Sequence, residues 1–218
     1  MADVSHELRT PLTIIRGEAQ VTLRQQTATV EIYQETLNTI LEQSVKLSKL
    51  VDDLLLLARA EMHEFTLDVA QCTLESELSE QVTKWQKVIK TRDITFQSQL
   101  QHNQSVVIDK ERIIQALTIL IENANKYSSP GAPIIVALDD DNNWIRINIM
   151  DTSDGISSSD LEHIFERFVR LKRQGDGMGL GLSIAKAIAE AHGGTLTARS
   201  ELSKGSVFTL SLKKPASH

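Results

Sequence analysis

Residues 3–62 carry the pattern of two long helices with one interruption at 25–30. In the second arm Leu37, Ile40, Ser44, Leu47, Val51, Leu54 and Ala58 recur at steps of three and four, with Leu41, Ser48 and Leu55 widening the stripe. That stripe is broader than a two-stranded seam and suits a four-helix bundle. One hairpin supplies only two helices, so the pattern predicts that two chains pool their hairpins as a homodimer. In the first arm Leu8, Leu12, Ile15 and Ala19 form the apolar line, and Pro11 lacks the N–H that would reach the Glu7 carbonyl, which predicts a bend.

From Phe65 onward strands and helices alternate, which places a domain boundary at 62–64 and divides the chain into 1–63 and 64–218. Residues 66–70 read as a strand, while Leu74, Leu78, Val82, Trp85 and Ile89 share a helical face. Residues 94–100 and 106–108 read as strands, and Asp109 is placed to cap a helix carrying Ile113, Ile114, Leu117, Leu120, Ile121 and Ala124. Pro130-Gly131 close it off, and 134–138 and 144–150 flank a hairpin turn. A helix over 180–191 ends at Gly193-Gly194, and 195–200 and 206–212 supply two last strands. The sum is helices layered on one face of a mixed sheet.

Composition narrows the partners. With 23 Lys plus Arg against 29 Asp plus Glu, the net charge of −6 repels phosphate backbones and anionic membranes. Aromatics at 4% leave few platforms for stacked bases, so nucleic acid is not expected and any phosphate-bearing ligand must be held locally. Cys72 is the single cysteine, which excludes an intrachain disulfide and fits an inert residue in a reducing compartment. No run approaches the roughly 18 apolar residues that span a bilayer, and the start is no signal peptide, so the chain as given is expected to be soluble and cytoplasmic.

Three groups carry candidate chemistry. Gly175, Gly177, Gly179 and Gly181 stand at every second position before a helix, where backbone can approach an anion and unpaired N–H groups can meet it. The Lys-Ser/Thr of a P-loop is absent there. Asn123 and Lys126 share a helical face, offering an amide oxygen for a hard cation and an ammonium for phosphate, and Asp151 at a strand end offers a carboxylate to an exocyclic amine or, alternatively, a turn. His6 and Thr10 lie one above the other, off the apolar line. A neutral imidazole of pKa about 6.5 has a lone pair that can attack phosphorus, and Glu7 can accept the N–H of the other ring nitrogen.

Asn123-Ala-x-Lys126-Tyr127, Asp151-x-x-x-Gly155-Ile156, Phe165-Glu-Arg-Phe168 and Gly177-x-Gly179-x-Gly181-Leu182 appear in the order of the N, G1, F and G2 boxes of sensor histidine kinases. Ser5-His-Glu-Leu-Arg-Thr-Pro-Leu-Thr13 resembles their H box, and the resemblance covers the chain over about residues 3–212. The resemblance implies a dimeric four-helix bundle followed by an α/β sandwich with a mixed sheet, the Bergerat-type ATP-binding fold. It implies ATP- and Mg²⁺-dependent phosphorylation of His6 at Nε2 with Glu7 as base, then transfer to an aspartate of a cognate response regulator. Thr10 would orient a water for phosphatase action on that regulator. By the same resemblance Asp151 reads the adenine amino group, Asn123 ligates Mg²⁺, and Lys126 and Tyr127 line the phosphates. Gly155, Ile156, Gly177, Gly179, Leu180, Gly181 and Leu182 complete the nucleotide site, and residues 168–178 form a mobile lid with Arg170 on the γ-phosphate.

Family members carry further helix and a sensor region upstream, so the resemblance also implies anchoring in a bacterial inner membrane through segments preceding this chain. Two positions depart from the pattern. Ser153 replaces the first glycine of the G1 box, putting a Cβ where positive φ is expected, and Ile119 replaces a second asparagine four residues before Asn123; each is expected to weaken nucleotide binding. A Bergerat ATPase of the chaperone or topoisomerase kind, and a dimeric module with a decayed G1 box, are the rival readings.

Overall fold

The computed structural model describes residues 2–25, 27–100, 105–171 and 178–214. Helices α1 (Ala2–Arg24) and α2 (Val30–Glu61) form the hairpin, and α1 runs through Pro11 without a break. Glu31 in the first turn of α2 and Arg59 in its last complement the helix dipole. Buried Thr22 and Thr36 share a hydroxyl–hydroxyl bond of 2.7 Å, which fixes the antiparallel register. His6 lies sixteen residues before Thr22 and Asp52 sixteen after Thr36, so at equal rise per residue the two stand at the same level.

The apolar stripe expected on α2 divides into two faces. Leu50 and Leu57 are buried, with Ile40, Leu47 and Leu54 half-buried beside them. Leu37, Leu41, Val51 and Leu55 are 64%, 63%, 42% and 51% exposed in the single chain. With Ser44 and Ser48 between them they fall at steps of four and three, the spacing of a helix seam that still needs a partner.

Strand β1 (Ala70–Thr73), helix α3 (Leu74–Val88), β2 (Ile94–Ser98), β3 (Ser105–Ile108) and α4 (Lys110–Tyr127) follow. Then come β4 (Ile134–Asp140), β5 (Trp144–Asp151), the single turn α5 (Ser158–Leu161), α6 (Gly181–Ala191), β6 (Thr195–Glu201) and β7 (Gly205–Lys213). Five strands form one sheet in the order β2-β4-β5-β7-β6, with β2 parallel to β4 and the other pairs antiparallel. The strand expected at 66–70 is displaced to 70–73. There Ala70 to Thr73 pair with Ile108 to Ser105 as a separate two-stranded ribbon, whereas the Asp68 N–H is taken by the Asp109 carboxylate at 3.0 Å.

Alternate residues of β4 and β5, Ile134, Val136, Leu138, Ile145, Ile147 and Ile149, are fully buried on the helix-covered face. The opposite face is polar: Thr209 donates to Asn148, which donates to Asp139, which also pairs with Arg146. Asp109 caps α4 by accepting the Arg112 N–H at 3.1 Å, and its own N–H reaches His192 Nε2 at 3.0 Å, joining the start of α4 to the end of α6. A sheet closed on one face by α4 and α6 therefore brings the C-terminal end of α4, the end of β5 and the start of α6 together.

Candidate functional site

Those three ends surround a cavity of about 510 Å³. Asn123, Lys126 and Tyr127 enter from α4, Asp151 from β5, Gly155 and Ile156 from the following loop, Arg170 from 169–171, and Gly179 to Leu182 from the start of α6. Ile164, Ile184 and Phe208 give it apolar walls. Gly177 and Gly175, and most of the lid expected at 168–178, lie outside the described residues.

Asp151 is 8% exposed, and its Oδ1 accepts two backbone N–H groups, from Ser153 at 2.8 Å and Ser206 at 3.2 Å. The main chain therefore fixes one oxygen and leaves Oδ2 to a ligand. Positive φ falls on Gly155, at 76°, and not on Ser153, which instead forms a single antiparallel bridge with Ser128. This corrects the expectation of strain at Ser153. A Cβ on Gly155 would lie 2.2 Å from the Glu201 carbonyl oxygen, so close backbone approach and positive φ both demand glycine there.

Gly179 and Gly181, which line the cavity, also answer to packing demands that their spacing did not reveal. Gly179 has φ 71°, and a Cβ there would meet Phe168 backbone at 2.8 Å, the two residues being joined by a 2.9 Å bond from the Phe168 N–H to the Gly179 carbonyl. A Cβ on Gly181 would lie 3.0 Å from Ile119 Cγ2. Both glycines admit neighbouring protein atoms. Ile119, bulkier than the asparagine expected there, occupies space that Gly181 leaves open and lines the cavity.

The cavity also has a wall that sequence reading missed. Lys49 and Asp53 reach it from α2, one turn apart. Burial raises the Asp53 carboxyl above the usual carboxylate range, Lys49 opposes that rise and neighbouring Asp52 adds to it. Arg167 of the F box ties the same helix to the sheet-bearing part, donating to the Leu57 carbonyl at 3.4 Å and pairing with Glu61 at 2.8 Å. Ser206 was also missed; a serine following glycine at the edge of a strand beside Asp151 was the available clue.

His6 is exposed on α1, and Glu7, half-buried, follows it. Neither lines the cavity, nor does Thr10, whose hydroxyl donates to the His6 carbonyl at 3.2 Å. Among the described residues no three His, Cys, Asp or Glu side chains gather to cage a metal. A lone amide oxygen such as that of Asn123 suits Mg²⁺, which keeps waters and takes phosphate oxygens as its remaining ligands.

Residues 108–216 match the family described as histidine kinase-, DNA gyrase B- and HSP90-like ATPases, and residues 1–63 match the His Kinase A phospho-acceptor domain. The chain belongs to the sensor histidine kinases. Sensor protein SrrB of Staphylococcus aureus is 31% identical over 219 residues, an overlap of 99% of this chain and 38% of SrrB. The chain thus spans about 38% of the length of the curated relatives it matches. Among solved structures, the Acinetobacter baumannii histidine kinase AdeS superposes with a TM-score of 0.76 at 25% identity, covering 97% of this chain and 98% of that one. Full-length ShkA in complex with AMPPNP gives a TM-score of 0.74 at 26% identity, covering 100% of this chain and 46% of that one. The histidine-kinase boxes coincide with the geometry: Asn123, Lys126 and Tyr127 of the N box, Asp151, Gly155 and Ile156 of the G1 box, and Gly179, Gly181 and Leu182 of the G2 box all line the cavity.

Proposed function

We propose that this chain is the ATP-dependent phosphotransfer core of a sensor histidine kinase, made of a hairpin at 1–63 and a nucleotide-binding domain at 64–218. The observation that carries the reading is the convergence on one cavity of Asn123, Lys126, Tyr127, Asp151, Gly155, Ile156, Arg170, Gly179, Leu180, Gly181 and Leu182, contributed by four separate stretches. A volume of about 510 Å³ is within the range of ligand clefts. The AMPPNP bound by ShkA supports ATP as the occupant.

Asp151 Oδ2 accepts the adenine amine, Lys126 and Arg170 face the phosphates, and Asn123 holds Mg²⁺, which neutralises phosphate charge. Glu7 accepts one imidazole N–H of His6 and keeps the lone pair on Nε2. That lone pair attacks the γ-phosphorus as the bond to the β–γ bridging oxygen breaks and ADP leaves. Such a transfer is mainly positioning and charge stabilisation, so the nucleotide-binding domain must swing to an exposed acceptor. The chain leaves α2 through His63 at φ 57°, a sharp exit that supports a joint at 62–64. An aspartate of a response regulator then takes the phosphoryl group, and Thr10 orients a water that hydrolyses the regulator's aspartyl phosphate, releasing inorganic phosphate.

The exposed seam of Leu37, Leu41, Val51 and Leu55 supports a homodimer built on paired hairpins. No helix among the described residues is long and apolar enough to cross a membrane. Anchoring of the whole protein would rest on further segments.

Incubation with γ-labelled ATP and Mg²⁺ tests the reading. Acid-labile, base-stable label on the wild type, absent from His6→Gln while nucleotide affinity is retained, is the expected result. Turnover of ATP without protein label would support an ordinary ATPase, and absence of nucleotide binding a decayed module.

A further inference from the structure

Three serines form a hydrogen-bonded line beneath Asp151. Ser153 Oγ lies 3.1 Å from Ser206 Oγ, and Ser206 Oγ lies 3.0 Å from Ser200 Oγ. Ser200 donates its proton to the Gly205 carbonyl at 2.7 Å and accepts the Ile156 N–H at 2.8 Å. One hydroxyl carries one proton, so these bonds fix the direction of the others. With its own proton spent on Gly205, Ser200 accepts from Ser206, and Ser206 in turn accepts from Ser153. The line runs Ser153 to Ser206 to Ser200 to carbonyl.

Of the three, the Ser153 proton is the one that can be redirected without stranding a buried donor. If it turns away, Ser206 loses only an accepted bond and still donates to Ser200. Ser153 lines the cavity, and its backbone N–H holds the same carboxylate that meets the base. A purine amine on Asp151 Oδ2 is flanked by a ring nitrogen that carries a lone pair and requires a donor. A floor whose groups only accept would leave that nitrogen unpaired, at the cost of burying an unsatisfied polar atom.

We propose that Ser153 is a specificity residue, whose hydroxyl swings from Ser206 to donate to purine N1 beside the amine bound by Asp151. This rests on the nucleotide reading above. It inverts the expectation that replacing the G1-box glycine weakens binding: here the added Cβ is accommodated at ordinary backbone angles and carries a donor that glycine lacks. The pair Asp151 and Ser153 then reads acceptor and donor side by side, matching a 6-aminopurine and opposing a 6-oxopurine, which presents a carbonyl and an N–H in the same places.

Calorimetric affinities of wild type, Ser153→Ala and Ser153→Thr for ATP and for 1-deaza-ATP, in which C–H replaces that ring nitrogen, form the test. The Ala variant is expected to bind ATP roughly three- to tenfold more weakly, the yield of one net hydrogen bond, to bind 1-deaza-ATP no more weakly than wild type does, and the Thr variant to recover ATP affinity. Equal losses for the two nucleotides would assign Ser153 a purely structural part and overturn the proposal, as would an Ala variant that binds ATP as tightly as wild type. A wild type that binds neither nucleotide would overturn the nucleotide reading itself, a result distinct from either of these.

Discussion

Asp151→Asn separates what Asp151 does for the fold from what it does for the base. The side-chain oxygen that accepts the Ser153 and Ser206 N–H groups, at 2.8 and 3.2 Å, is reproduced by the amide oxygen of asparagine, so the loop after β5 keeps its anchor. The other oxygen becomes an NH₂, a donor set against the donor of an adenine amine. Losing a charge-assisted bond removes about 1.5–3 kcal/mol, which lowers ATP affinity by roughly tenfold to more than a hundredfold. The same NH₂ is matched to the carbonyl of a 6-oxopurine, so the preference for ATP over ITP should collapse while thermal melting moves little. Titration calorimetry with both nucleotides, alongside a melting curve, reads each quantity. Asn-variant affinity for ATP within twofold of wild type, or equal losses for ATP and ITP, would refute the argument from the carboxylate.

Gly155→Ala combines a positive φ of 76° with a Cβ 2.2 Å from the Glu201 carbonyl oxygen, so it should cost about 3 kcal/mol or more and lower the melting temperature by several degrees. Gly131→Ala, with a similar φ but nothing within 4 Å, should cost only about 1 kcal/mol, and equal melting shifts for the two would discount the steric part. Leu41→Glu charges the exposed seam of α2 and should yield monomers of unchanged helicity by light scattering and circular dichroism; an intact dimer would exclude this face as the interface. His163 Nδ1 lies 2.6 Å from Glu166, and that carboxylate raises the imidazole pKa. The stabilisation is therefore complete below the ordinary imidazole pKa and fades as pH rises through the raised folded value. NMR titration should place the His163 midpoint higher than in Glu166→Gln, and coincident midpoints would contradict the pairing.

Much of the architecture was legible because local rules and tertiary structure agree. Asp109 reads as a cap and is one, and the turn between β4 and β5 is closed by the Asp141 carboxylate, which accepts the Asn143 and Trp144 N–H groups as turn residues do. Residues 66–69 failed as a strand because β propensity is decided by the available partner, and β3 offers its edge to 70–73. The nucleotide boxes could be read as residues, but the packing that also demands glycine at two of their positions could not. Gly179 and Gly181 make room for Phe168 and Ile119, neighbours that only the folded chain supplies. The α2 wall of the cavity was equally illegible, since nothing in the helical period of Lys49 and Asp53 tells which foreign element they will meet.

That wall places a single rigid rod in two bodies at once: α2 carries the exposed seam on one side and, through Lys49 and Asp53, a boundary of the cavity on another. A twist or slide of the rod that alters this boundary changes how tightly the cavity holds its guest. By thermodynamic reciprocity the guest then biases the rod's setting by the same factor. Were a guest to touch Lys49 or Asp53 in only one setting of the rod, occupancy of the cavity and the posture of the bundle would be two readings of one equilibrium.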